Sequence, residues 1–565
     1  MPSSEPFVEL RLLTGPNLYF PRPAVKLTLD ATDVLGADAA TVVGWQRALG
    51  VRGGTVGLSS SPVRLAAAAT LAAAVVRRAG ATLGLRVAAL ARPGEDGTVV
   101  VAFPFRRPGT AEAFGTAVAR AYGDITSAAT TPAAALARVP GAVAGVEPGE
   151  PVRPLRARIP VIAVTGTNGK TTTTRLIAHL IRAGGRVPGW SSTEGIVVDG
   201  ETVEDGDWSG PGGAARVLAD PRVQVAVTET ARGGILLRGV GTAANDVSVV
   251  TNISADHLGM LGVHTIEQLA EVKSVVVRIT RATGWTVLNA DDPLVRAMRS
   301  VSRARPWFYS PDPENPFLAE ALAGGGRAIT VVDGEIVVME IGLDHRRVMA
   351  IADVPLTLAG ISRVNVANVL AATAAALAVS VPLPAVREGL RSFTSGTRHN
   401  AGRLNLYRVG EVCVLLDLAH NEASLASLLE VGVALRQGDG RLVAVVGTAG
   451  DRTDQAIHAM GRMAAATADQ VVIAGRTKYL RGREPGEMEA LWRAGAAEAG
   501  ELDVAVTIDE LSAATGLLDA DLPVGSVVAV CSLDQRSATE VEIARRGGAE
   551  LTAAEVRDRL AGRAP

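Results

Sequence analysis

Lysine is nearly missing from this sequence. Of 56 basic residues only Lys26, Lys170, Lys273 and Lys478 are lysine, and arginine supplies the rest. Arginine carries positive charge well, but it never becomes a neutral, nucleophilic amine. A lysine kept against that background points to chemistry that arginine does not perform. Lys26 alone reads as a chance survivor. Cysteine is scarcer still, with Cys413 and Cys531 far apart. A disulfide framework or a zinc cluster is thereby excluded, and a reducing, cytoplasmic setting fits. Net charge is missing too, at -2 with a pI of about 6.4. Nothing in that balance attracts nucleic acid or an anionic membrane. The start, MPSSEPFVEL, has no basic stretch before an apolar core, so no secretory signal is expected. The longest apolar run, 65–76, is Ala-rich and ends at Arg77 and Arg78. It falls short of the roughly 20 residues that span a bilayer and reads as a buried helix. No internal repeat at solenoid spacing is found.

What is present suits several globular domains: 565 residues, 48% hydrophobic and 20% charged. Residues 1–143 alternate extended and helical patterns. Strands are expected at 8–13, 25–29 and 98–105, and helices at 63–78 and 111–122, giving a small α/β domain. Residues 144–160 continue a stretch rich in Pro, Gly and Arg and read as a linker. From residue 161 short β-branched runs at 161–164, 223–227, 247–251 and 286–289 alternate with helical segments. They describe a P-loop, doubly wound central domain over 161–400, closed by an Ala-rich helix at 365–379. A third, Rossmann-like α/β domain is expected over 401–545, with strands at 412–417, 442–446, 470–474 and 526–531. Residues 546–565 read as a C-terminal tail.

The run VIAVT at 161–165 leads straight into Gly166, Thr167, Asn168, Gly169, Lys170, Thr171 and Thr172, and a helix follows. A strand, a glycine turn and a helix N-terminus make an anion site, because loop N–H groups and the helix dipole both face phosphate. Lys170 neutralises the phosphates and the Thr171 hydroxyl suits Mg²⁺. Val164 stands where the common eight-residue P-loop has its first glycine, so this is a shorter form, TGTNGKT. Three later pieces fall at or after strand ends, where open α/β sheets place ligands. They are Glu229 in TETARGG, His257 in TNISADHLG, and Lys273 on the helix beyond. ATP and a carboxylate repel each other, and magnesium with Lys170 offsets that repulsion. Glu229 is a hard oxygen ligand of the kind Mg²⁺ takes.

These residues resemble the Mur ligase superfamily, and within it the Mur-like part of the cyanophycin synthetases. The matching stretches are DWSGP from Asp207, ETARGGI from Glu229, TNISADHLG from Thr251, LNADDP from Leu288, RLN from Arg403, DLAHN from Asp417, GDR from Gly450 and RGREPGE from Arg481. Together they cover about residues 155–540. The LTGPN run at Leu13 carries a weaker resemblance of the first domain to the cyanophycin-synthetase N-terminal domain.

The resemblance implies an ATP-dependent ligase that phosphorylates a carboxylate and couples the acyl phosphate to an amine, with an amino acid and a peptide as substrate types. It implies one Mg²⁺ on Thr171 and Glu229 and a second on His257 and a carbamylated Lys273. Asn289 would face adenine, with Arg403 and Asp417 at phosphates and ribose. His420, Asn421, Arg481, Gly482, Arg483 and Glu487 would lie toward substrate, and residues 204–213 toward the acceptor. Such synthetases carry an ATP-grasp domain between their first and Mur-like parts, where this chain has only the linker. A separate ATP-grasp ligase is therefore an expected partner. The DLAHNE run lacks the tyrosine and proline that usually flank this motif, which implies altered substrate contacts. A different reading makes the chain a non-catalytic ATP-binding scaffold of a partner ligase, and the intact Lys, His and Glu set speaks against it. A plain P-loop kinase or NTPase leaves the DLAHN and RGR motifs without a role.

Overall fold

The structure is a computed structural model that describes residues 7–53, 55–475, 478–500 and 504–562. The first domain is a four-stranded antiparallel sheet in the order Glu9–Leu13, Ala24–Asp30, Thr98–Pro104, Leu90–Pro93. Helices Pro62–Thr82 and Pro108–Thr126 cover it. The first of these starts cleanly: Ser61 accepts the Arg64 N–H, and Pro62 fits the first turn, where its missing N–H is not needed. Leu27, Val101, Leu71 and Val118 are fully buried between sheet and helices, each worth about 2 kcal/mol relative to exposure.

The central domain carries an eleven-stranded sheet. Seven strands run parallel, in the order Arg327–Val332, Arg305–Tyr309, Thr280–Asn289, Asn245–Val250, Val161–Thr165, Val225–Glu229, Pro188–Ser192. Burial on both faces explains why these strands read as unbroken apolar runs. Ile162 and Val164 face helices Lys170–Ala183 and Arg363–Ala378, while Ala163 faces helix Ile266–Arg278. The expected strands and the Ala-rich helix are all present, shifted by a few residues at their ends. Antiparallel hairpins add strands at both edges. Two of their turns are Asp199-Gly200 and Asp333-Gly334, all four at positive φ, a sequence signal for hairpins that the periodicity reading passed over.

The third domain is a seven-stranded sheet whose strands Val412–Asp417, Leu442–Val446 and Gln470–Ala474 match expectation to the residue. The expected tail is a correction. Strand Ala549–Glu550 pairs with Asn405–Val409, and helix Ala553–Ala561 buries Val556 in the core beside Leu428 and Leu435. An apolar stripe in a capped helix explains this, since Thr552 and Glu555 form a reciprocal capping box. Residues 144–160 are equally tied down: Gly109 and Arg106 share backbone hydrogen bonds with Pro148 and Val152, and Leu155 bridges to Thr242. Cys413 and Cys531 are both buried. Among the described residues no helix is long and apolar enough to cross a membrane.

Candidate active site

The parallel strands aim their carboxyl ends into one cleft of about 830 Å³ between the central and third domains. Strand Val161–Thr165 ends at Gly166, and helix Lys170–Ala183 begins after Gly169. Both glycines are required by space. A Cβ on Gly166 would sit 1.9 Å from Thr251 Oγ1, and one on Gly169 would sit 2.3 Å from Asn368 Oδ1. Their φ values, +147° and +82°, also exclude most side chains. The loop is held from the neighbouring strand end. Asn252 Oδ1 accepts the Asn168 N–H at 2.9 Å, and Thr251 Oγ1 donates to Asn168 O at 2.6 Å. Thr167 Oγ1 accepts the Ser254 N–H at 3.0 Å. Lys170 Nζ donates back to Thr167 O at 2.8 Å, which leaves two of its hydrogens for an anion.

Thr171, which lines the cleft, meets Glu229, 58 positions along the chain: the hydroxyl donates to Glu229 Oε2 at 2.9 Å. Glu229 is 1% exposed, and its other oxygen, Oε1, is buried without a partner. Orphaned buried carboxylate oxygens are costly, so one beside a phosphate loop fits a cation that completes it. A hydroxyl and a carboxylate are also the hard donors that Mg²⁺ prefers.

Lys273 points inward from helix Ile266–Arg278, 4% exposed, and its Nζ donates to Gly166 O at 2.6 Å. Burial, reinforced by the charge of Lys170, pulls its amine well below the ordinary lysine range. A neutral amine is the form that carbamylation requires. His257 sits at φ +50° on the loop beyond Asn252. Its Nδ1 faces Asp451 Oδ2 at 2.9 Å. No hydrogen bond joins His257 to Lys273, and among the described residues no three His, Cys, Asp or Glu side chains already form a metal cage.

Asn289 lines the same cleft and donates to Thr251 O at 2.9 Å. Arg403 and Asp417 reach it from the third domain. Burial pushes the Asp417 carboxyl up to about 6, against the pull of Arg403. His420 also lines the cleft; burial lowers it to about 4, so its imidazole is neutral near pH 7. Asn421 caps helix Glu422–Leu435 and exchanges hydrogen bonds at 3.1 Å with Asn168, linking third domain to phosphate loop. Arg481, Gly482, Arg483 and Glu487 stand apart from this lining. Arg483 is committed to structure, donating to Gly450 O at 2.9 Å, Arg452 O at 2.7 Å and Asp454, and pairing with Glu487. Arg481 is exposed near Tyr479.

Two groups of residues escaped the sequence reading. Glu194, from the turn after Pro188–Ser192, gathers Arg175 at 2.7 Å with Arg536 and Arg403 at 3.6 and 3.8 Å. Arg452, 6% exposed, reaches Asp256 at 3.0 Å across the domain boundary. The GDR stretch was visible, but another Arg452 partner, His257, lies 195 positions away and becomes apparent only once the domains dock.

This cleft joins a phosphate loop to acidic and amine side chains at the ends of parallel strands, in a two-domain α/β frame. Residues 164–376 match the Mur ligase middle domain, and residues 402–536 match the Mur ligase, glutamate ligase domain. The chain belongs to the Mur ligase family. More particularly, it is similar to cyanophycin synthetase of a Synechocystis species, 41% identical over 331 residues, which is 59% of this chain and 37% of that protein. The chain thus spans well under half the length of the curated cyanophycin synthetases it matches. The UDP-N-acetylmuramoyl-L-alanyl-D-glutamate–2,6-diaminopimelate ligase of Bacillus licheniformis is 28% identical over 335 residues, covering 57% of this chain and 63% of that one. Among solved structures, a bifunctional folylpolyglutamate synthase/dihydrofolate synthase with Mn, AMPPNP and L-glutamate bound aligns at TM-score 0.51. It is 18% identical and covers 69% of this chain and 90% of that one. That likeness concerns the fold.

Proposed function

We propose that the chain is an ATP-dependent amide ligase that joins an amine, an amino acid, to the carboxylate of an amino-acid or peptide acceptor. The observation that carries this reading is the buried Lys273 amine, pulled well below the ordinary lysine range by burial and hydrogen-bonded to the carbonyl of the phosphate loop. A kinase or simple NTPase has no use for that group. The loop N–H groups and Lys170 bind the triphosphate. Thr171 with Glu229, and His257 with a carbamylated Lys273, would hold two Mg²⁺ ions, which would supply charge neutralisation on the transferring phosphoryl group. The acceptor carboxylate oxygen takes the γ-phosphoryl group and ADP leaves. The amine nitrogen then attacks the acyl carbon, loses a proton, and expels phosphate. Asn289, Arg403 and Asp417 orient the nucleotide, and closure of the third domain through Asn421 and Asn168 excludes water. His420 lies beside the same cleft toward the substrates. Arg481, Gly482, Arg483 and Glu487 support the third domain's substrate side. A separate ATP-grasp ligase acts beside this chain in the cytoplasm, because a linker stands where the synthetases carry that domain.

The test is release of phosphate from ATP and Mg²⁺ by the purified chain, across panels of amines and peptide carboxylates, with the product identified by mass spectrometry. Phosphate release that depends on both an amine and an acid supports the ligase. Release that is independent of both, or none across the panel, contradicts it.

A further inference from the structure

The reaction scheme above leaves Glu194 without a task, although arginines from two domains converge on it. Glu194 stands in the turn after strand Pro188–Ser192. Its neighbour Thr193 puts a hydroxyl 3.5 Å from the Thr171 hydroxyl, so the turn flanks the phosphate loop. Arg175, on the helix that starts at that loop, donates to Glu194 Oε2 at 2.7 Å and to Ala401 O at 3.2 Å. Arg536, the first residue of third-domain helix Arg536–Arg545, pairs with the same oxygen at 3.6 Å. Arg403, also of the third domain, pairs with the other oxygen, Oε1, at 3.8 Å. Burial works against the Glu194 charge, but the three guanidiniums outweigh it and hold the carboxyl below the usual range.

The contacts are graded. Oε2 is anchored, because Arg175 is hydrogen-bonded to it and its side chain is only 13% exposed. Oε1 faces Arg403 through a looser ion pair, and Arg403 spends one further N–H on Gly402 O at 3.1 Å. Its remaining N–H groups stay available to an anion in the cleft that it lines. Glu194 does not line that cleft itself. A guanidinium on a long stem loses rotamer freedom when it takes a ligand, and a carboxylate that already restrains it lowers that cost. Removing the carboxylate does the reverse. The charges of Arg175 and Arg403 reach each other, so without Glu194 between them their repulsion turns Arg403 away.

We propose that Glu194 is a positioning residue that presents Arg403 of the third domain to the nucleotide phosphates bound in the central domain. This rests on the placement of Arg403 at the phosphates in the function proposed above. Glu194 touches no substrate and acts through Arg403.

The experiment compares full-length wild type, Glu194→Gln, Glu194→Asp, Arg403→Gln and the double variant Glu194→Gln/Arg403→Gln. Calorimetry with Mg²⁺ measures affinity for a non-hydrolysable ATP analogue and, separately, for adenosine, which has no phosphate. The expected result is that Glu194→Gln weakens the ATP analogue about 10-fold, while adenosine affinity and melting temperature stay as in wild type. Glu194→Asp, which keeps the charge, recovers part of the loss. In the Arg403→Gln background Glu194→Gln costs little more, because the group it positions is already gone. An equal loss in both backgrounds overturns the proposal, as does wild-type analogue affinity in Glu194→Gln. Parallel loss of analogue and adenosine binding with a lowered melting temperature marks a structural role and also overturns it. Wild-type analogue affinity in Arg403→Gln overturns the proposal together with the phosphate role of Arg403. The ligase reading stands or falls separately, on phosphate release by wild type that depends on both amine and acid.

Discussion

Arg64 in the first domain and Lys273 in the central domain are both basic and both almost removed from water, at 2% and 4% exposure. Their surroundings are opposite. Arg64 donates to four backbone carbonyls, those of Val34, Ala37, Val56 and Gly57, and so ties two loops to a helix start. Its planar fork is matched on all sides, which is how a buried guanidinium becomes structural. Lys273 has one carbonyl partner, and Lys170 adds repulsion to the cost of burial. Glu229, whose charge reaches Lys273, leaves an oxygen unpartnered. A satisfied buried charge stabilises a fold; buried groups with unused bonding capacity mark a site prepared for a ligand.

The comparison is broken most sharply by exchanging the two basic groups' roles. Lys273→Ala should lower turnover by about a thousandfold or more, roughly 4 kcal/mol of transition-state stabilisation, with no loss of melting temperature. Retained turnover with lost stability would make Lys273 a second Arg64. Lys273→Arg should be equally inactive, because a guanidinium cannot be carbamylated, and intact-protein mass spectrometry of wild type should show the added mass of one carbon dioxide. Arg64→Met is the reverse case. It leaves four carbonyls without donors and should cost about 3 kcal/mol in chemical denaturation, while nucleotide affinity stays as in wild type. Glu229→Gln sharpens the same contrast at the acidic partner. Mn²⁺ affinity by calorimetry should fall about 10- to 100-fold with the fold unperturbed.

The smallest effect concerns Asp417. Its folded-state carboxyl lies near 6, above the ordinary aspartate value, because it is buried. The folded protein therefore holds that proton more tightly than the unfolded chain. Its contribution opposes folding fully above about pH 6 and vanishes below about pH 4. Asp417→Asn should match wild type in urea unfolding near pH 4 and exceed it at pH 8. It should also bind ATP more weakly.

Much of this was legible in the sequence for physical reasons. Parallel strands buried on both faces must be apolar throughout, so 412–417, 442–446 and 470–474 stood out. A glycine loop between such a strand and a helix has one common use. The edge hairpins were harder, since their alternation is half-polar, although the Asp-Gly turns at 199–200 and 333–334 announced them. The helix Ala553–Ala561 was lost among polar residues because its buried stripe is narrow, with Val556 at its centre. At the site, chain order behind the loop singled out Glu229, His257 and Lys273, since each follows a strand end. Asp451 and Arg452 were visible as letters but not as chemistry. Their partners, His257 and Asp256, belong to another domain, and only docking brings them together.

The most direct measurement is a crystal structure of the full chain with Mn²⁺ and a non-hydrolysable ATP analogue, with metal positions read from anomalous scattering. The account predicts Mn²⁺ on the Thr171 hydroxyl and Glu229, a second ion at His257, and Lys273 modified beside it. Metal density confined to the nucleotide phosphates, with an unmodified Lys273 still on the Gly166 carbonyl, would contradict it.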